Sequence, residues 1–320
     1  MTELESPQES APAPPPPPPK KSRAGVFFIG ALSGCLVVLG GFVFLFVVIA
    51  VWGGDTGELS LSTEKVAILP IEGEILDARE TLDLLHRYEK NATVKAIVVR
   101  INSPGGAIAP SQEIYSAIRR ARKESGKPIV ASMDSVAASG GFYIAVACDR
   151  IVANPGSITG SIGVILQWLN TKDLVNWAKV KPETITSGPM KDAGSPYRDL
   201  TPAEREYFQH IVTQLHSQFV RAVAEGRSGK LSLAEVTRIA DGRVFTGEEA
   251  LALKLIDELG TIDDAVSAAA KSAGIRGEVT KLWPKRREVS LFDLLTGSGD
   301  AESLIQRVVS RRLPQFLYRW

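Results

Sequence analysis

Ser139 stands in the stretch "AASGGFYIA" (Ala137–Ala145), between two alanines and two glycines, at the head of an apolar run. A hydroxyl there has two readings. Before a helix it is an N-cap, its oxygen accepting a hydrogen bond from the backbone two or three residues on. As a nucleophile it needs a base, because a free serine hydroxyl is weak. The three histidines, His86, His210 and His216, lie in no glycine loop and near no motif, which disfavours a Ser-His-Asp arrangement. The remaining activator is a lysine kept uncharged by apolar burial or a nearby positive charge. Lys191, in "TSGPMKDAGSPYR" (Thr186–Arg198), sits among small and apolar residues after a predicted strand. Alone it reads as a solvated charge; taken with Ser139 it becomes the candidate base.

Two further glycine-rich turns accompany "ASGG". They are "NSPGG" (Asn102–Gly106), directly after "AIVVRI", and "TGSIGV" (Thr159–Val164). Glycine permits positive φ and close backbone approach. Exposed N–H groups at a turn or helix start can face a developing negative charge. Each loop alone also fits an inert strand-to-helix turn. Other chemistries are less well served. There is no GxxxxGK[ST], and no GxGxxG follows the first strand, so a nucleotide site is disfavoured. The histidines show no HExxH spacing, and Cys35 and Cys148 are too few for a cysteine metal cluster or a disulfide framework. A net charge of +1 gives no basic face for nucleic acid.

The elements that must position these loops alternate. "VAILPI" (Val66–Ile71), "VKAIVVRIN" (Val94–Asn102), "PIVASM" and "RIVA" (Arg150–Ala153) read as nearly continuous apolar strands, with "PETIT" as a further one. Between them, "TLDLLHRYE", "SQEIYSAIRRAR" and Ser139–Val146 read as helices. This pattern predicts a largely parallel α/β sheet, buried on both faces, with its loops at the strands' carboxyl ends. After Thr201 the chain is mostly helical. Thr201, Pro202 and Glu204 form a helix-start pattern, and further helices are expected near Leu233–Ala240, Thr246–Leu253 and Ile262–Ala273.

The N-terminus has a different character. Residues 1–23 are a proline-rich tail ending in Lys20, Lys21 and Arg23. Residues 24–54 carry no charge, whereas about 20 apolar residues suffice to cross a bilayer. The length and the polar tail before it favour an anchor over a cleaved signal peptide. The basic cluster places the tail in the cytoplasm and everything after the segment across the membrane. The expected organisation is a tail (1–23), a transmembrane anchor (24–54), a linker (55–64), a catalytic domain (65–283) and a C-terminal tail (284–320). The "LPQFLYRW" end could pack on a neighbouring subunit, on the membrane surface, or simply on its own domain.

"NSPGG", "AASGGFYIA", "TGSIGV" and "SGPMKDAGSP", in this order, resemble the signal peptide peptidase SppA family in its short, single-repeat form. The resemblance covers about Val66–Leu282, and the combination of four motifs is what makes it specific. It implies the ClpP/crotonase-like fold and a serine endopeptidase without metal or nucleotide cofactor. Carried over by position, Ser139 is the nucleophile and Lys191 the general base. Ser161 orients the lysine, and the N–H groups of Gly106 and Gly140 form the oxyanion hole. The resemblance further implies a homo-oligomeric ring in which neighbouring subunits complete each site. It also implies peptide substrates, signal peptides left in the bilayer after secretion, and a bacterial inner-membrane location with the catalytic domain on the outer side. The rivals are a related protease cutting one particular membrane protein, a crotonase-type acyl-CoA enzyme, which outward topology disfavours, and an inactive membrane-anchored scaffold.

Overall fold

The computed structural model describes residues 64–284 and the backbone of residues 315–318. The proline-rich tail and the apolar segment 24–54 lie outside the described residues, and among those described no helix is long and apolar enough to cross a membrane.

The catalytic region opens with β1 (Lys65–Glu72), α1 (Arg79–Lys90), β2 (Val94–Ser103), β3 (Gly106–Ala107), α2 (Ile108–Ser125) and β4 (Ile129–Ala138). It continues through α3 (Gly140–Ala145), β5 (Arg150–Ala153), β6 (Ile158–Gly160), β7 (Ile165–Gln167) and α4 (Lys172–Trp177). The long α5 (Pro202–Gly226) leads to α6 (Leu233–Ile239), β8 (Val244–Thr246), α7 (Gly247–Ala252), β9 (Glu258–Leu259), α8 (Ile262–Ser272) and β10 (Thr280–Leu282). A last strand, β11, spans Gln315–Tyr318.

The main sheet runs β10-β1-β2-β4-β5-β9, every pair parallel, with β6 paired to β4 and β8. Its central strands are apolar along nearly their whole length because both faces are covered. One core holds Leu69, Ile97, Ile118, Phe142 and Phe219, packed under α1, α2, α3 and α5. The other holds Ile68, Val98, Val130 and Val266, closed by α8. The predicted α/β class and all the predicted helices after Thr201 are present. The N-terminus of α5 carries the full reciprocal cap between Thr201 and Glu204.

Two departures from the sequence reading matter for the site. First, β4 is longer than "PIVASM". Its first half pairs with β5 (Val130↔Arg150 to Met133↔Ala153), then it changes partner and pairs with β6 (Val136↔Ile158 to Ala138↔Gly160). Second, "PETIT" is not a strand. Among the described residues no strand pairs with it, its residues are exposed, and Ile185 is fully exposed at 102%. Lys191 therefore follows no strand.

A second, three-stranded sheet lies beside the site, in the order β3-β11-β7. β11 is antiparallel to both neighbours, with Tyr318 opposite Gly106, Leu317 opposite Ala107 and Phe316 opposite Leu166.

Candidate active site

β2, β4 and β6 end side by side, and each runs into one of the three glycine loops. Ser103 of β2 pairs with Ala137 of β4, and Ala138 pairs with Gly160 of β6. Ser139 and Ser161 thus leave adjacent parallel strands together. The Ser139 N–H donates to the Gly160 carbonyl at 2.8 Å, locking the two turns. Both serines have positive φ, 53° and 51°. Residues without glycine's freedom rarely hold that conformation, which costs roughly 1–3 kcal/mol. Two such residues at one point mark a constrained, functional turn.

The N-cap reading of Ser139 fails. Its side chain makes no capping hydrogen bond, with φ 53° and ψ −115° at the strand-to-helix corner. The residue is fully buried, and its Oγ is the one buried side-chain polar atom without a partner among the described residues. An orphaned buried hydroxyl costs about 1–3 kcal/mol. Strain and an unmade hydrogen bond at the same residue are what a poised nucleophile shows and a structural serine does not.

Backbone packing gathers the other groups around it. Gly140 opens α3, so its N–H has no intrahelical acceptor. A Cβ on Gly140 would fall 2.6 Å from Ser111 Oγ and 3.4 Å from the Gly106 nitrogen. The two glycine backbones therefore touch, and only glycine fits between them. A Cβ on Gly106 would meet the Ile75 carbonyl oxygen at 2.2 Å, a backbone atom that cannot yield. The N–H of Ala107 donates to that same carbonyl at 2.7 Å. Ser103 Oγ accepts from the Gly105 N–H at 3.1 Å and shapes the turn. Within α3, Tyr143 packs edge-on against Tyr115 of α2 and at a tilt against Phe219 of α5, with ring centroids 4.8 and 5.0 Å away.

Of the five residues singled out in the sequence, four converge: Ser139, Ser161, Gly106 and Gly140. Lys191 does not join them within the chain. It lies exposed in the segment between β7 and α5, and among the described residues its amine has neither hydrogen bond nor ion pair. The apolar burial expected around it is not supplied by the described residues of its own chain. The segment exposes Leu169, Leu174, Trp177 and Ile185 at 79, 62, 83 and 102%. Cores are built by covering such side chains, and a contiguous exposed apolar stretch marks an interaction surface.

The Lys191 loop is nevertheless firmly tied at its far end. Arg198 spans two carboxylates: Nη2 lies 2.9 Å from Asp192 Oδ1 and 2.6 Å from Glu204 Oε1, and Nη1 lies 2.8 Å from Glu204 Oε2. Glu204 is buried, and its Oε2 also accepts the Thr201 N–H at 2.8 Å. Lys172 pairs with Asp199 and fastens the loop to the start of α4. The sequence reading gave no role to Asp192 or Arg198 and so missed this clamp. Arg198, followed by the Thr201 N–H, holds the Glu204 carboxyl well below the usual range, at about 2. A carboxyl depressed on folding stabilises the fold above its unfolded pKa and loses that contribution as pH falls through the folded one. Glu204→Gln should therefore lower the melting temperature at and above about pH 5, with the gap closing as pH approaches 2. Melting curves of both proteins across that range check it.

The other nucleophile candidates are ruled out by place. Cys148 is buried, and burial pushes its thiol well above the usual range. His216 Nε2 is engaged with the Ala240 carbonyl at 2.8 Å and His86 Nδ1 with the Leu82 carbonyl at 3.3 Å.

A strained, buried serine without a partner among the described residues, at the carboxyl end of a parallel sheet and next to the packed Gly106 and Gly140 backbones, is the arrangement of a serine hydrolase site. Comparison with known proteins narrows the class. The model of peptidase family S49 matches residues 121–276, which include Ser139, Ser161 and Lys191. The Synechocystis sp. protein slr0021, named as a candidate protease, is 40% identical over 241 residues, 75% of this chain and 85% of its own length. Protease 4 of Salmonella typhi is 31% identical over 78% of this chain, and the chain spans 41% of that protein. The chloroplastic serine protease SPPA of Arabidopsis thaliana is 31% identical over 77% of this chain and 36% of its own length. The chain is a serine peptidase. It belongs to peptidase family S49, the SppA family.

Proposed function

We propose that this serine peptidase works with a Ser139–Lys191 dyad completed between subunits and cuts apolar peptides, among them signal peptides remaining after secretion. The observation that carries the reading is the strained Ser139, whose buried Oγ has no partner among the described residues. A buried hydroxyl and an amine on an exposed apolar arm, each without a partner among the described residues, are complementary halves. In a head-to-tail ring each arm reaches the next subunit's Ser139, and its apolar residues are covered at the contact. In this reading Ser161, which leaves the strand adjacent to that of Ser139, orients the arriving amine.

The chemistry then follows in order. The neutral Lys191 amine takes the Ser139 proton as Oγ attacks the peptide carbonyl. The oxyanion is met by the Gly106 and Gly140 N–H groups. The lysinium protonates the leaving amine, and a water deprotonated by the same lysine releases the acyl group.

The domain plan is part of the proposal. Residues 24–54 anchor the chain in the inner membrane of a bacterium, with the proline-rich tail in the cytoplasm and residues 65–283 outside, next to the substrates. Peptide substrates are supported by β11. An extended backbone lies antiparallel between β3 and β7, with Tyr318 opposite Gly106. Any extended peptide could pair in the same slot, and the apolar sequence "QFLY" at these positions suits an apolar substrate. A peptide and β11 cannot occupy it together. Deleting residues 315–320 should lower KM for an apolar peptide several-fold while kcat changes little. An unchanged KM would mean that substrate enters elsewhere. The function itself is tested by incubating the detergent-solubilised protein with a synthetic signal peptide and with a polar peptide of equal length. Preferential cleavage of the signal peptide is expected; preference for the polar peptide would sink the assignment.

A further inference from the structure

Lys191 is followed directly by a carboxylate, and a base lysine cannot tolerate that neighbour unmasked. An anionic group within a few ångströms favours the protonated amine, which cannot accept the serine proton. The segment from β7 to the start of α5 also carries Lys172, Asp173, Lys179, Lys181, Glu183, Arg198, Asp199 and Glu204. The carboxylates that follow Lys191 in the chain, Asp192, Asp199 and Glu204, are each held by a cation. Asp199 is held by Lys172, and Asn170 Nδ2 lies 3.0 Å from its Oδ1. Asp192 and Glu204 share Arg198, whose Nε also reaches Asp192 Oδ2 at 3.2 Å and whose Nη2 reaches the Asp192 carbonyl at 3.2 Å. One guanidinium thus turns the adjacent carboxylate away from Lys191 and ties the loop's backbone to a buried helix cap.

Resting on the reading that Lys191 is the base, we infer that Arg198 is a positioning residue of the dyad: it sequesters Asp192 and Glu204 so that Lys191 is presented without an anionic partner. Only a planar fork can serve two carboxylates and a carbonyl at once; an ammonium is a point charge. Arg198 holds the Asp192 carboxyl below its usual range, as it does that of Glu204, so both stay anionic and bound where the enzyme works.

The test is the pH dependence of kcat for peptide cleavage in wild type, Arg198→Gln, Arg198→Lys and the double variant Arg198→Gln/Asp192→Asn. In Arg198→Gln the acid limb should move up by about one pH unit, giving roughly tenfold less activity on that limb, while the alkaline plateau is kept within a few-fold. Loss of structure alone would lower the plateau and leave the limb in place. Adding Asp192→Asn should bring the limb back, and Arg198→Lys should fall between. An unmoved limb in Arg198→Gln, or a double variant that does not restore it, overturns the inference. Should Arg198→Gln not fold, Asp192→Asn alone decides, because the Arg198–Glu204 pair survives in it. Its limb should lie at or below that of wild type, and a rise would overturn the inference. Lys191→Ala separates the two levels. If it keeps wild-type activity, the dyad falls and the inference with it. If it is inactive while the Arg198→Gln limb stays put, the inference falls alone.

Discussion

Ser139→Ala should lower peptide hydrolysis by at least about 10³-fold, since removing the nucleophile leaves only binding and oxyanion stabilisation. The same change should leave the fold as stable as before, or more so. The hydroxyl it deletes is buried and has no partner among the described residues, so no hydrogen bond to them is lost and a desolvation penalty of about 1–3 kcal/mol is relieved. Ser139→Gly goes further. It also releases the positive-φ strain, roughly 1–3 kcal/mol, against about 0.5–1 kcal/mol of extra chain entropy. Both variants should be inactive, and both should melt no lower than wild type. A serine-directed acylating probe should label wild type at Ser139 and neither variant. A clear drop in melting temperature for Ser139→Ala would show that the hydroxyl was bonded and structural.

Lys191→Ala should be inactive to a similar degree and equally well folded. Among the described residues its amine holds no partner, and its side chain is exposed, so no described packing depends on it. Nucleophile and base act as one unit, so the double variant with Ser139→Ala should be no worse than either single one. Lys191→Arg should not restore activity. A guanidinium keeps its charge and cannot accept the serine proton. Turnover within a few-fold of wild type in Lys191→Ala would mean that another group activates Ser139.

The parts of this site legible in the sequence were those whose residue types are restrictive. Glycines 106 and 140 are required because Cβ atoms there would strike backbone or a packed hydroxyl. A lone serine before an apolar helix stood out for want of other polar groups. The strands at the centre were equally plain, being apolar on both faces. What escaped had no local signature. β6, β7 and β8 are three residues each, too short for a period to show. The second half of β4 carries Asp134 and Ser135 because the strand changes partners there, and that reads as a break. The apolar residues of the 165–200 arm carry no sign in the sequence of what covers them. They declare that something covers them, not that the cover lies in the same chain, which is why a buried Lys191 was expected and an exposed one found. The Arg198 clamp joins charges six residues apart on either side, a distance at which ionic residues look merely solvated.

The central claim is that each site draws Ser139 from one subunit and Lys191 from the next. It is tested by mixing. Ser139→Ala and Lys191→Ala proteins, each inactive, are combined in equal amounts, dissociated, reassembled together and assayed on the signal peptide. In a head-to-tail ring about a quarter of the sites would pair an intact serine with an intact lysine, so roughly a quarter of wild-type activity should return. No recovery from a mixture proven to contain mixed oligomers would contradict the account, since serine and lysine would then have to meet within one chain.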